Sequence, residues 1–159
     1  MNVISDFAAR FGVKVEFDEK NIVKKENRYF LLSDRLKGLV AADFFYAGVY
    51  LGRVKGDVLL PSFNLLKIIA EKEGANQVFV DERSAWLFIC GRDIFKRGIT
   101  RVEGSGRKGD YTLVLNQHGE CLGFGIILKD LDAIEKGVAV KNVLDIGDFL
   151  RRERKPLEE

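Results

Sequence analysis

The sequence contains few of the residues from which metal and redox centres are built. It has one histidine and two cysteines among 159 residues, so no Cys/His zinc pattern can be assembled. Cys90 and Cys121 lack CxxC spacing, which favours a reducing setting, and we predict that both are buried as small apolar side chains. His118 lies in the turn-like stretch QHGE, which predicts an exposed ring. We therefore expect no metal ion and no histidine-based catalysis.

Long apolar runs are also missing. No stretch approaches the ~20 apolar residues that a membrane-spanning helix needs. The first residues, MNVISDFAARFG, show no basic region followed by an apolar block, which a secretory signal would have. We expect a cytoplasmic protein with no membrane partner.

The motifs of cofactor-dependent enzymes are absent as well. The sequence has neither a GxSxG elbow nor a GxxxxGK[ST] phosphate loop. GFG at 123–125 resembles a fragment of GxGxxG, but Leu128 replaces the third glycine. The fragment also lies inside a predicted strand, where glycine more often marks a bulge or a close backbone approach. Asp130 and Asp132 lie at a strand end, where acids are usually solvated. We expect no cofactor, no catalytic residue and no enzymatic activity.

Positive charge is present but is concentrated in two segments. The chain is 47% hydrophobic and 31% charged, with a net charge of only +2, so local clusters must supply any nucleic-acid binding. Each cluster also has a simpler interpretation, as a solvated surface. The basic residues of the two segments are Arg92, Lys96, Arg97, Arg101, Arg107 and Lys108 in the first, and Arg151, Arg152, Arg154 and Lys155 in the second.

Hydrophobic periodicity predicts short elements separated by glycine turns. Ser33 is a candidate N-cap of a short helix, and Gly74–Asn76 is a candidate domain boundary. Trp86 lies within the apolar run AWLFI, and we predict that it belongs to the core. Many short strands with few helices indicate a small barrel in the second half. The main predicted elements are helices over 3–11, 62–72, 84–90 and 146–155, and strands over 13–17, 28–32, 77–81, 99–103, 111–115, 120–129 and 136–143.

The closing segment, IGDFLRRERK, has two interpretations. As a helix it places Arg151, Arg154 and Lys155 on one face, while Phe149 and Leu150 point elsewhere and dock the helix on the domain. Basic residues in a last turn also suit the helix dipole, by about 0.3–1 kcal/mol. The segment is thus either a nucleic-acid-binding surface or a helix end stabilised by its charges.

The second half contains a series of motifs in a fixed order. The series begins with VFVDERSAWLFICGRDIFKRGI at 78–99 and continues with KGDYTLVL at 108–115. ECLGFGIIL at 120–128, with LGFG at Leu122–Gly125, precedes KGVAVKN and IGDFLRRE. This order resembles a PUA domain, an RNA-binding module of which LGFG is a signature, and the resemblance implies an α+β protein. Its N-terminal α/β domain, residues 1–76, would have a mostly antiparallel sheet with flanking helices, and a PUA-type small β-barrel would span 77–159.

In the first half, RYFLLSDRLKGLVA occupies 28–41 and AGVYLGRVKG occupies 47–56. With these segments the whole chain resembles the Nip-seven-type ribosome biogenesis factors, in their archaeal form. It implies a non-enzymatic factor in large-subunit assembly that binds precursor rRNA or uridine-rich single-stranded RNA. Other assembly or RNA-processing proteins would dock on the N-terminal domain. The alternatives are a protein–protein adaptor and an RNA-modifying enzyme that carries a PUA domain.

The resemblance also implies where RNA binds. In such domains the first helix, the following strand and the C-terminal element form one surface. Glu153, Glu158 and Glu159 interrupt an otherwise basic strip. Arg154 is included by its spacing rather than by the family pattern. The implied RNA-binding residues are Lys96, Arg97, Arg101, Arg151, Arg152, Arg154 and Lys155.

Overall fold

The computed structural model of the protein describes residues 2–40 and 43–153, apart from the side chains at 149, 150, 152 and 153. It confirms the mixed α+β class. In chain order the elements are α1 Val3–Ala9, β1 Ile22–Lys25, β2 Arg28–Leu31, α2 Asp34–Leu39, β3 Val49–Lys55, β4 Val58–Pro61, α3 Phe63–Ala70, β5 Gln77–Val80, α4 Glu82–Ile89, β6 Ile94–Phe95, β7 Ile99–Glu103, β8 Tyr111–Leu115, β9 Cys121–Ile127, β10 Val138–Asp145 and α5 Ile146–Glu153.

The first half forms an antiparallel four-stranded sheet in the order β1-β2-β3-β4. Helices α2 and α3 begin at Ser33 and Ser62, whose hydroxyls accept hydrogen bonds from the amides of Leu36 and Leu65. Such caps satisfy amides that have no partner inside the helix. Helix α3 then buries its apolar stripe against the inner face of the sheet. The opposite, outer face of this sheet is not covered by α3.

The second half forms a six-stranded sheet in the order β6-β10-β9-β8-β5-β7, in which β5 and β8 are parallel and all other pairs antiparallel. Its edge strands β6 and β7 are joined by the short 3-10 turn Lys96–Gly98. A sheet whose two edges are joined this closely must curl, and it encloses its own core as a half-barrel. Phe88 of α4 and Ile94 of β6 are buried in that core.

The LGFG signature permits close packing of β9 on β10. Gly123 has φ +146°, and a Cβ on it would overlap the carbonyl oxygen of Leu144. A Cβ on Gly125 would overlap the carbonyl oxygen of Lys141. The pairing of these strands shifts register between Asn142 and Leu144. The expectation that these strand glycines mark a bulge or a close backbone approach is therefore confirmed for the close approach.

A second hydrophobic core, separate from that of the half-barrel, joins the two halves. Phe7 of α1 and Phe11, two residues after that helix, pack edge-on against Tyr111 of β8 and Phe124 of β9, with ring centroids 5.5–6.0 Å apart. The buried side chain of Asn76 donates to Tyr111 O and accepts from Ser105 N at 3.1 and 2.8 Å. The division into domains 1–76 and 77–159 stays a prediction, and the packing across residue 76 is continuous.

Three of the sequence predictions are wrong, two of them from periodicity and one from cysteine spacing. Residues 13–17 keep alternating burial but form no strand. Trp86 is 65% exposed, whereas Phe88 is fully buried. Two helical positions differ by about 200°, so α4 cannot bury both rings in one core. Cys90 is exposed and Cys121 is half-buried, so the two thiols do not share the buried state that was expected.

Candidate nucleic-acid interface

Helix α4 and the turn Lys96–Gly98 form the frame of the candidate interface. The carboxylate of Asp81 caps α4 by accepting from Ser84 N at 2.7 Å, and Asp81 N donates to Gly98 O at 2.9 Å. A Cβ on Gly98 would overlap the Ser84 side chain, so only glycine allows this approach. The turn is therefore fixed against the N-terminal end of α4.

Lys96 and Arg97 are adjacent in this turn but have different surroundings. Lys96 is half-buried, and its Nζ donates to the carbonyl oxygen of Leu131 at 2.6 Å. Arg97 is exposed, with its guanidinium carbon 5.7 Å from the ring centroid of Phe95. The lysine thus holds the turn to the loop before β10, while the arginine presents its guanidinium to solvent.

Arg101 lies on β7 and stacks on the neighbouring strand. Its guanidinium carbon is 3.8 Å from the ring centroid of Phe79, its partner in the β5–β7 pairing. One guanidinium nitrogen lies 3.4 Å from a carboxylate oxygen of Glu103, and this pair is largely exposed. A stacked guanidinium keeps its edge free to donate hydrogen bonds. Arg101 can therefore still contact phosphate. It lies on the edge strand β7, not on α4.

Among the predicted site residues whose side chains the structure describes, Arg151 has the most hydrogen bonds within the fold. Its Nη1 donates to Ile89 O at 2.9 Å, and its Nη2 lies 3.0 and 2.9 Å from the two carboxylate oxygens of Asp145. The Asp145 side chain is only 4% exposed, whereas that of Arg151 is 45% exposed. Arg151 thus neutralises a buried carboxylate and satisfies a carbonyl at the end of α4.

The predicted residues do not all meet at one point. The turn with Lys96 and Arg97 contacts the N-terminal end of α4, and Arg151 contacts the C-terminal end, about 12 Å away for a helix of eight residues. The elements themselves do meet, since α4 packs against both β6 and α5. The side chain of Arg152, together with Arg154 and Lys155, lies outside the described residues.

Two exposed aromatic residues on these elements were missed as functional candidates. Trp86 on α4 and Phe95 on β6 are 65% and 45% exposed. Arg83 lies three residues before Trp86 and is exposed on the same side of the helix. Placing the run SAWLFIC on a helical wheel around the buried Phe88 would have separated Trp86 from the core. The combination of exposed rings and arginines suits bases and phosphates.

The part of the chain that the structure describes gives no sign of a metal centre or a membrane span. Within residues 2–40 and 43–153, no group of three or more His, Cys, Asp or Glu side chains is placed to hold a metal ion. No helix in the same ranges has the length and apolar character needed to cross a bilayer.

This fold defines an α+β protein whose second half is a PUA-type half-barrel, a class of domain that commonly binds RNA. Residues 76–154 match the family described as "UPF0113 PUA domain". A UPF0113 protein of Archaeoglobus fulgidus is 33% identical to the chain over 116 residues. The match covers 69% of this chain and 63% of that relative.

Two solved structures share the fold. A conserved PUA domain protein from Thermoplasma acidophilum matches 96% of this chain and 92% of its own, with a TM-score of 0.61 and 23% identity. A PUA domain from Aeropyrum pernix K1, solved as a tartrate complex, has a TM-score of 0.51 and 26% identity. That match covers 58% of this chain and 54% of the other. The first likeness extends through both halves of the chain.

Proposed function

We propose that the protein is a non-enzymatic RNA-binding factor of the Nip-seven type that acts in assembly of the large ribosomal subunit. Its ligand would be precursor rRNA or uridine-rich single-stranded RNA. The observation that supports this most is the PUA domain at residues 76–154, in which α4 and β6 expose Trp86 and Phe95 beside basic side chains. The Nip-seven assignment itself depends on the order of sequence motifs in both halves.

Binding would combine two physical terms. Arg97 is exposed and free to meet phosphate, and each neutralised phosphate releases counterions, so affinity falls as salt rises. Trp86 offers a ring on which a base can stack, a contact that depends less on salt. Arg151 would contribute mainly by holding α5 in place, because Asp145 and Ile89 already occupy its guanidinium.

The test is a salt titration of binding to oligouridine and oligoadenine by the full chain. We expect Arg97→Ala to weaken binding and to reduce the salt slope by about one. Trp86→Ala should weaken binding by about 1–3 kcal/mol with little change in slope. Lys14→Ala, which removes an exposed charge from the loop after α1, is the matched control. Affinities equal to wild type for both PUA variants would refute this site.

Two further tests separate the proposed function from its rivals. An adaptor would form its complexes undiminished after nuclease treatment, whereas an RNA-dependent assembly factor would lose them. An RNA-modifying enzyme would turn over substrate when supplied with cofactor mixtures, and we expect no turnover. Recovery of large-subunit rRNA precursors with the tagged protein, but not with Arg97→Ala/Trp86→Ala, would support a function in assembly.

A further inference from the structure

The outer face of the N-terminal sheet carries a row of basic side chains. Strand pairing places Lys25 opposite Arg28, and Arg28 opposite Arg53. Residues paired directly across neighbouring strands point to the same side of a sheet, so these three cations form a row across β1, β2 and β3. Lys55, two residues after Arg53, extends the row along β3 on the same side and is exposed.

Aromatic rings from the loop before β3 cover one end of this face. Phe30 is fully buried beneath Phe44, Tyr46 and Tyr50, with ring centroids 5.4–5.5 Å from its own. Tyr46 nevertheless remains 57% exposed, and Phe45 is 80% exposed. Arg28 fixes the loop by donating to Phe45 O at 2.8 Å, and its guanidinium carbon lies 4.7 Å from the Phe45 ring centroid. The exposed rings are therefore held in place next to the basic row.

The basic row continues into a cleft of about 720 Å³ between the sheet and the PUA half. Arg28, Arg53 and Tyr50 line this cleft. Arg10 and Tyr111 line it as well, with the guanidinium carbon of Arg10 3.6 Å from the ring centroid of Tyr111. Burial raises the pKa of the Tyr50 hydroxyl, and the charges of Arg53 and Arg28 partly oppose that shift. A protonated phenol there can donate to a phosphate oxygen.

Acidic groups near this surface limit, but do not cancel, its positive charge. Asp43 is paired with Lys25 at 2.8 Å, which holds the pKa of its carboxyl below the usual value. Asp57, in the turn after β3, and Asp6 and Asp148 line the cleft beside its three arginines. The face keeps exposed Arg53 and Lys55, half-buried Arg28, and the exposed rings of Phe45 and Tyr46, so it remains basic and aromatic.

We propose that this outer face, defined by Arg28, Phe45, Tyr46, Arg53 and Lys55, is a second binding site for single-stranded RNA, distinct from the PUA surface. Arginines offer planar forks that match phosphate oxygens, and exposed rings stack on bases. An acidic protein segment would satisfy the charges but would leave the fixed rings without a stacking partner. The inference goes beyond the PUA surface and does not require that surface to bind RNA.

The test uses the full chain with oligouridine, and with oligouridine containing 4-thiouridine for crosslinking. Phe45→Ala and Arg53→Ala should each weaken binding by about tenfold, the effect of losing one stacked base or one phosphate contact. Arg53→Ala should also reduce the salt slope by about one, whereas Phe45→Ala should not. Lys67→Ala removes an exposed charge from α3, on the opposite side of the sheet, and should bind as wild type does. Crosslinks should map to 43–55.

The outcomes separate this site from the PUA surface. Wild-type affinity of both variants, with crosslinks confined to 76–154, would overturn the inference and leave the PUA proposal standing. Loss of binding in these variants but not in Arg97→Ala or Trp86→Ala would support this site and count against the other. If the variants keep RNA affinity but lose binding to polyglutamate, the face binds an acidic protein and the inference fails. Equal melting temperatures of all variants verify that each is folded.

Discussion

Arg151 and Asp145 form an ion pair across the start of α5, with one guanidinium nitrogen 3.0 and 2.9 Å from the two carboxylate oxygens. Arg151, which the sequence predicted to bind RNA, thus neutralises the nearly buried carboxylate of Asp145. The same guanidinium also donates a hydrogen bond to Ile89 O at the end of α4. The pair joins α4, β10 and α5, the elements on which the PUA surface is built.

Removing this arginine should destabilise the fold. Arg151→Ala leaves the Asp145 carboxylate buried without its cation, and we expect a loss of about 1–3 kcal/mol in the free energy of unfolding. Urea denaturation measures it. The double variant Asp145→Asn/Arg151→Ala should recover part of the loss, because no buried charge remains. The matched control Arg97→Ala should change stability by less than about 0.5 kcal/mol, as expected for an exposed residue. If the urea midpoint of Arg151→Ala equals that of the wild type, Arg151 does not stabilise the fold.

Asn76 should be a second sensitive position. Its amide joins Tyr111 O to Ser105 N, and its backbone amide donates to Phe11 O at 2.8 Å. Asn76→Ala removes a buried amide and leaves the partly buried Tyr111 O and Ser105 N without its hydrogen bonds, so we expect about 1–3 kcal/mol of destabilisation by thermal or urea unfolding. Asn64→Ala, at an exposed position on α3, should be close to neutral. If both variants unfold alike, the side chain of Asn76 does not connect the two halves energetically.

The glycine of the LGFG signature should not tolerate a side chain. Gly123→Ala would force a Cβ into the Leu144 carbonyl at φ +146°, so β9 and β10 could not keep their spacing. We expect a loss above about 4 kcal/mol, seen as a lowered midpoint or failure to fold. Gly38→Ala is the control, because nothing lies within 4 Å of its Cβ position in α2. That change should be neutral or stabilise by up to about 1 kcal/mol.

The two thiols should differ in reactivity. Cys90 is exposed, whereas burial raises the pKa of Cys121 from 9.0 to about 11. At neutral pH a thiol reagent should label one thiol of the wild type, Cys90, rapidly. The Cys90→Ser variant keeps only Cys121 and should be labelled slowly. Stability should fall as pH rises from about 9 towards about 11, because the unfolded chain releases a proton that the folded thiol retains. Cys121→Ser should lose that part of the pH dependence, and its persistence would refute the assignment.

Helix caps, turns and close strand packing were predictable from the sequence where a single residue determines the local structure. Ser33 caps α2 as expected, because its hydroxyl supplies an acceptor at the position where helix amides lack one. The turn at His118–Gly119 and the exposed histidine also follow from local turn preferences. The strand glycines of LGFG were predicted to permit close backbone approach, and they do.

The parts that depend on tertiary contacts were not predictable. Trp86 and Phe88 have similar hydrophobicity, and only the position of the half-barrel decides which ring is buried. Arg151 was predicted to bind phosphate because the sequence does not show its partners. Asp145 is six residues away and Ile89 is 62 residues away, and only the fold brings them to the guanidinium. The outer face of the N-terminal sheet becomes visible only once strand register brings Arg28 beside Arg53.

The ring cluster of Phe7, Phe11, Tyr111 and Phe124 has a consequence for spacing. Because these rings interlock across residue 76, the distance between the sheet of the first half and α4 of the second is set by side-chain packing, not by a tether. Two segments of one RNA held at these places would be kept at a fixed separation. The protein would then bind both sites at once only with RNA folds whose two exposed segments lie at that distance from each other.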